Sequence, residues 1–434
     1  MKQENIISKM SSNTFFLYFL FALGLFVRIY FIKFDGTIDL LFWSTFAEAL
    51  DKFNNLSYLY VPGVENIENF RDYNLPVMYP PGFSYILFIF NKINNITFEF
   101  NYTTLIKSII IFFDIIIYLS ISLIYKNKVK EILLFFWINP LIIICGSALG
   151  YIDIIPFFFL LISILLIQNQ KLIFGSIFFI ASCSVKQLGL IILPIYFFYY
   201  LKKKNFIFNF KLSLFLFFLI ILGLLPILFS ANSFSLFQTF YGFTKNMYWG
   251  LLTDYISGQG LNIWWIYSAI LELLNNFSLD KNFALYISEI RFELLRSESG
   301  IWSWPQFIGR IFIIIFTFIN IIKIYKYPDK LVFLKTLIFQ YFAYCIFATG
   351  VHENHGILLA GLSSILILID SKKYFNFCLL INLYVVLNLV LFYGIDGSIN
   401  IRNISGWSFI TLIPTFFIIF YFLYNYRKYI KNIF

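Results

Sequence analysis

The sequence predicts an all-α polytopic membrane protein, and three observations carry that prediction. Hydrophobic residues make up 60% of the chain and charged residues only 12%, with a mean hydropathy of +0.82, a balance that no soluble globular class shows. Apolar runs of about 20 residues, each long enough to cross a bilayer, recur from end to end. Lysines and arginines sit mostly in the short loops between those runs, where they signal topology. The net charge of +10 is therefore read as a membrane signature, and nucleic acid is excluded as a partner.

Spanning helices are expected at 14–34, 105–125, 131–148, 151–167, 171–186, 188–201, 207–229, 305–323, 331–349, 356–370, 374–394 and 406–424, twelve in all. The first carries Arg28 and Lys33 and no small-residue cleavage site follows it, so it is expected to be an uncleaved helix and not a signal peptide. With the N-terminus (Lys2, Lys9) cytoplasmic, the basic loops 126–130, 202–204, 323–330, 372–373 and 427–431 all fall on the cytoplasmic side. Two further apolar segments, 79–93 and 261–274, break the alternation. If only the first spanned, the basic loops after it would face outward. Both are read as in-plane or re-entrant helices, which are tolerated where protein covers them. The first and fourth non-cytoplasmic loops, 35–104 and 230–304, are then long. No internal repeat or linker is visible, so one integral-membrane domain covers 1–434: helices to 230, the outer loop 231–304 with its in-plane helix, and C-terminal helices over 305–434.

Cys145, Cys183, Cys345 and Cys378 all fall inside apolar runs without metal spacing and are read as packing residues. Heavy use of Ile, Phe, Lys and Asn suggests an AT-rich genome, and such asparagine usage produces Asn-x-Ser/Thr sequons by chance.

The topology sorts the polar residues by side. Asp39, the Tyr79–Pro81 stretch, Asp153, Lys186, Gln187, the 230–304 loop and the His352–His355 stretch all come out on the non-cytoplasmic face. That is the pattern of one active site at one membrane surface.

Each polar piece has a structural alternative. Asp39 opens a helical pattern with Phe42, Phe46, Ala49 and Leu50 on one face, and by itself it fits a helix N-cap. Tyr79-Pro80-Pro81 fixes a rigid entry to the in-plane helix, and by itself it is a turn. Asp153 stands at the outer start of a helix, where a carboxylate suits the dipole but is costly unless it faces protein or water. Lys186, between two apolar runs, calls for a partner such as Asp153 or a lipid phosphate; the alternative is a lysine snorkelling to the interface. Asp114, in mid-helix, also calls for a partner. Both histidines of the chain lie three apart in Val351-His352-Glu353-Asn354-His355, so on a helix they would share a face. Two histidines and a glutamate could hold a metal, but no third histidine or outer cysteine completes the site. A hydrogen-bonding role toward an anionic ligand is expected instead, with no metal and no cofactor.

In order along the chain, these pieces resemble the GT-C superfamily of integral-membrane glycosyltransferases, in particular the dolichyl-phosphate-glucose glucosyltransferases of N-glycan assembly and their bacterial relatives. The carriers are Asp39 followed by Ala47-Glu48-Ala49-Leu50, then Tyr79-Pro80-Pro81, Gly150-Tyr151-Ile152-Asp153-Ile154-Ile155-Pro156, Val185-Lys186-Gln187 and Val351-His352-Glu353-Asn354. Three departures are visible, the first being Tyr151 where the bacterial relatives' Gly-Gln-x-Asp-x-x-Pro type piece has glutamine. Asn354 stands where a Val-His-Glu-Lys type motif has lysine, and the Val-Lys-Pro-Gln type piece lacks its proline.

The resemblance implies a GT-C fold of about 12 helices and inverting transfer of a hexose, mannose or glucose, from a polyprenyl-phosphate donor. The acceptor would be a lipid-linked glycan, a glycolipid or another hydroxyl. The active site would face the periplasmic or outer side of a bacterial plasma membrane. Asp39 would be the general base, with Asp35 the fallback. Lys186, His352 and His355 would bind the donor phosphate, and Glu353, Asp153, Gln187 and Tyr79 would bind or orient substrate. The rivals are a flippase or transporter of lipid-linked sugars, or a ligase using lipid-diphosphate donors. A transporter should show inverted repeats and broken helices near the midplane, and the sequence shows neither. A ligase should carry more outer arginines than Arg71, Arg291, Arg296 and Arg402.

Overall fold

Each predicted span overlaps helix, though 131–148 is broken at Ile138–Asn139 and 151–167 becomes helical only from Ile154. The structure is a computed structural model that describes residues 14–60, 79–229, 255–258, 260–276, 295–296, 303–398 and 407–431. The helices in chain order are α1 (Thr14–Phe31), α2 (Ile38–Phe53), α3 (Gly82–Thr97), α4 (Tyr102–Ile124), α5 (Lys126–Trp137), α6 (Pro140–Ala148), α7 (Ile154–Gln168) and α8 (Leu172–Val185). They continue as α9 (Leu193–Lys203), α10 (Phe206–Phe229), α11 (Ile263–Asn276), α12 (Trp304–Lys326), α13 (Lys330–Phe347), α14 (Gly356–Ile369), α15 (Ser371–Tyr393) and α16 (Leu412–Ile430). Among the described residues, five helices are long and apolar enough to cross a membrane, namely α4, α10, α12, α13 and α15; α5 and α6, bent by 43°, make a sixth if they form one span. The remaining predicted spans rest on shorter or more polar helices. The two segments read as in-plane are α3 and α11, both helical.

The ends of these helices follow local chemistry. Asn101 caps α4 by accepting from the Thr104 amide at 2.8 Å, and Asp329 caps α13 through the amides of Leu331 and Val332. α5 and α6 both end in π-helical turns, Leu133–Trp137 and Ile143–Ala148. Each such turn spaces its hydrogen bonds five residues apart, as in Leu149 N to Ile144 O at 2.8 Å, and so carries an extra residue.

Two of the buried charges in the first helices pair with each other. Asp114 takes the Arg28 guanidinium at 3.0 Å, and Arg28 also donates to the Trp137 carbonyl at 2.7 Å, just where α5 breaks. Both partners lie in apolar helices, so the partner that Asp114 calls for is the arginine of the first run. In the C-terminal bundle, Asn320, Gln340, Thr317 and Tyr426 close a hydrogen-bonded network between α12, α13 and α16. All four cysteines are free, and three of them are buried, which fits packing residues.

One element was not expected. Within the 230–304 segment, the strands β1 (Tyr255–Ser257) and β2 (Leu295–Arg296) pair antiparallel, Tyr255 opposite Arg296 and Ser257 opposite Leu295. The β1 segment then runs along the histidine stretch: Gly350 N donates to Ile256 O at 3.2 Å and Gly260 N to Val351 O at 3.1 Å. Most of the 230–304 loop, and with it Arg291, lies outside the described residues, as do Arg71 and Arg402.

Candidate active site

Asp39 is the second residue of α2, not its N-cap. Thr37 is the cap, and both its amide and its hydroxyl donate to the Leu149 carbonyl, at 3.0 and 3.3 Å. The N-cap reading of Asp39 is therefore wrong. The buried face of α2 also differs from the expected one: Leu40, Trp43, Phe46, Ala47, Ala49 and Leu50 are buried and Phe42 is only partly covered. Asp39 is left half-buried, and its side chain makes no hydrogen bond among the described residues.

Trp43, one turn on, brings in the second piece. Its ring lies 5.2 Å from Tyr79 and 4.5 Å from Phe83. Pro81 caps α3, and Gly82 behind it packs on the Ser184 backbone so closely that a Cβ would meet the carbonyl at 2.6 Å. Only glycine permits that approach, which sets Tyr79 beside the end of α8 and Lys186. The Lys186 ammonium lies 5.5 Å from the Tyr79 ring centroid.

Lys186 is 3% exposed and ion-paired, so it does not snorkel. Its ammonium is 2.9 Å from both carboxylate oxygens of Asp153. Asp153 is the N-cap residue of α7, but its side chain turns away from the helix amides to meet Lys186. Asn354 adds an amide to the same carboxylate at 3.4 Å. Gln187 opens the 3-10 turn Gln187–Ile192 directly after Lys186.

The histidine stretch is a 3-10 turn, Glu353–His355, with His352 as its cap, rather than part of an α-helix. In a 3-10 turn, residues three apart eclipse, and the two imidazole centroids come to 5.5 Å. The His355 Nδ1 pairs with the Tyr344 hydroxyl at 2.9 Å. Glu353 points the other way. It accepts from the Tyr151 hydroxyl at 2.6 Å, and its second oxygen, Oε2, is buried without a partner among the described residues. Among those residues, no three His, Cys, Asp or Glu side chains gather as a metal site.

These groups share one electrostatic neighbourhood. Burial raises the Asp39 carboxyl above its usual range, with Lys186 pulling it down and Asp153 pushing it up. Burial likewise pushes Glu353 up to about 7, the Tyr151 hydrogen bond lowering it and Asp39 raising it. Asp35 is placed differently. It is exposed, in a cleft with Lys33, Asn101, Thr103 and Thr104.

An apolar groove of about 600 Å³ leaves this neighbourhood. It starts at Pro80, Pro81 and Gln187, runs between α8, α9 and α10, and reaches Tyr200 and Asn209. The 3-10 turn and α9 alongside it span about 28 Å by their helical rises, close to the ~30 Å of a bilayer's hydrocarbon core.

The family model described as the ALG6, ALG8 glycosyltransferase family matches residues 79–425. The chain belongs to that family. It is thus an integral-membrane glycosyltransferase, in keeping with the resemblance carried by its short motifs. No individual curated protein matches it. The family match starts at Tyr79, the first residue of Tyr-Pro-Pro, and includes Asp153, Lys186, Gln187, His352, Glu353 and His355, while Asp35 and Asp39 precede it.

Sequence reasoning did not single out Tyr151, Tyr344 or Asn388 for this site. Tyr151 was visible as the second residue of the Gly150–Pro156 motif. Tyr344 and Asn388, whose amide donates to the Glu353 carbonyl at 3.4 Å, lie inside long apolar helices where nothing distinguishes them.

Proposed function

We propose that this ALG6, ALG8 family member, with twelve spans, is an inverting transferase. It moves a hexose, mannose or glucose, from a polyprenyl monophosphate to a hydroxyl of a lipid-linked glycan or other acceptor. Transfer takes place at the non-cytoplasmic face of a bacterial plasma membrane. The observation that carries the reading is the apolar groove that begins at Pro80, Pro81 and Gln187, the residues next in sequence to Tyr79 and Lys186: a lipid tail fits along it while the phosphate and sugar stay at that end.

Asp39 takes the proton of the acceptor hydroxyl, and that oxygen bonds to the anomeric carbon on the side opposite the lipid phosphate. The bond between the anomeric carbon and the phosphate oxygen breaks, and polyprenyl phosphate leaves with the electron pair. The leaving oxygen needs positive charge more than a proton. An ammonium has three N–H groups; two of those of Lys186 face Asp153, which leaves one for the phosphate. His352 and His355 add ring N–H donors. Glu353, Gln187 and Tyr79 contact the sugar or orient it. The reading invokes no metal and no cofactor.

The donor is decided by a direct comparison. Purified protein is given synthetic short-chain polyprenyl-phosphate hexoses and, in parallel, nucleotide sugars, with candidate acceptors. Transfer is expected from the lipid phosphates alone. Transfer from a nucleotide sugar without a lipid-linked intermediate would overturn the reading.

The pH profile tests the base. Asp39 accepts a proton only when ionised, and its carboxyl is held above the ordinary value of about 4. The rate at saturating substrate should therefore rise with pH along a limb displaced upward from that value. Asp153 is one of the groups holding Asp39 up, so Asp153→Asn should move the limb to lower pH. An unmoved limb would assign the titration to another group.

A further inference from the structure

We propose that Lys107 is a positioning residue for transfer, an ammonium that fastens the turn carrying Asp39 to the turn carrying Tyr151 and Asp153. The inference rests on the reading of Asp39 as the base. Lys107 sits in the second turn of α4, is fully buried, and makes no ion pair among the described residues. Its ammonium instead donates to four backbone carbonyls: Phe31 and Ile32 at 3.3 Å, Ala148 at 2.9 Å, and Phe34.

The origin of those carbonyls gives the lysine its role. Phe31 ends α1 and Ala148 ends α6, so the negative ends of two helices converge on one cation. Phe34 belongs to the turn that leads into α2 and Asp39. Leu149, next to Ala148, accepts from the amide and the hydroxyl of Thr37, two residues before Asp39. On the other side, the Gly36 amide donates to the Asp396 carbonyl at 3.0 Å. Gly36 and Gly150 both take left-handed backbone, φ 77° and 78°, which lets the two turns meet.

A helix end can be closed by glycine and backbone alone, without burying a charge. Lys107 does more, because it ties two helix ends together at the point where each chain turns into the site. It does so through placement. The groups that act on the Asp39 carboxyl are Lys186 and Asp153, and Lys107 is not among them.

Two variants and two measurements test this. Lys107→Met keeps the length and removes the donors; Lys107→Gln keeps two N–H groups and no charge. For Lys107→Met, kcat should fall about 100-fold, as for a catalytic group displaced by about 1 Å. KM for a short-chain polyprenyl-phosphate hexose should stay within about twofold, and the acid limb of the pH profile should not move. Lys107→Gln should lie between Met and wild type, and it supplies the measurement if the Met variant does not fold. Amide hydrogen exchange should speed up in peptides covering 32–39 and 148–153 and not elsewhere. Unchanged kcat in the folded variants, or faster exchange throughout the chain, would overturn the proposal. If the wild-type protein transfers from no lipid-linked donor, the functional reading fails, and the exchange measurement still decides whether Lys107 fastens the two turns.

Discussion

Asp39→Asn is expected to remove sugar transfer and to leave the protein at least as stable as the wild type. A general base is worth on the order of 100- to 10,000-fold, and an amide of the same shape cannot take the proton. The stability half of the expectation has its own sign. Burial raises the carboxyl's pKa in the folded protein, so folding favours its protonated form. Above the raised value the ionised group opposes folding, and the neutral amide removes that opposition. The melting temperature in detergent at pH 7 should therefore hold or rise. Near wild-type turnover in Asp39→Asn would pass the role to another group. Asp35 is then next in sequence, although its exposed cleft lies apart from Lys186 and Glu353.

Lys186→Met should be among the most destabilising single changes in the candidate site. It leaves the Asp153 carboxylate buried with the Asn354 amide as its remaining side-chain donor among the described residues, and breaking a buried pair from one side costs about 3–5 kcal/mol. Combining it with Asp153→Asn removes the orphaned charge, keeps an acceptor for Asn354, and should restore stability to within about 1 kcal/mol of wild type. Activity should not return with it if Lys186 serves the leaving phosphate as proposed, because its N–H is then gone. Thermal melts and transfer rates on the four members of this cycle separate the two roles. A stable double variant that transfers sugar at the wild-type rate would show that Lys186 serves the fold alone.

The grouping of these polar residues was legible because basic loops imply a topology, and that topology sorts polar residues by side. Asp39, Tyr79, Asp153, Lys186 and Glu353 fall in one electrostatic neighbourhood in the structure, the grouping that the loop charges imply. Burial cost also showed that Lys186 and Asp114 needed partners, and both have one. The sequence left the partner of Lys186 open between Asp153 and a lipid phosphate, since charge alone does not set geometry. It did not show Lys107, because the carbonyls that hold the lysine come from segments far apart in the chain and carry no mark in the sequence. The β1–β2 ribbon was missed for a related reason: strands of two or three residues leave no alternating pattern to read. Asp39 looked like a cap because Thr37, two residues earlier, is an equally good one, and the hydrogen bonds of Thr37 to Leu149 decide between them.

The wide turn that closes α6 makes chain length, more than residue identity, the constrained property there. Ile143–Ala148 carries one residue beyond what an α-turn would hold, and the exit toward Tyr151 and Asp153 is aimed from it. Deleting one residue lets the turn relax to ordinary α geometry and rotates everything downstream by about 100°. Glu353 would then lose Tyr151 and Lys186 would lose Asp153 in a single step, although no site residue had been altered. Exchanging one apolar side chain for another within the segment keeps the count, and with it the aim. Gly146 is the exception, since a Cβ there would meet Ile110 at 2.7 Å, so relatives that share this site should keep that glycine and the number of residues while the apolar side chains around it vary.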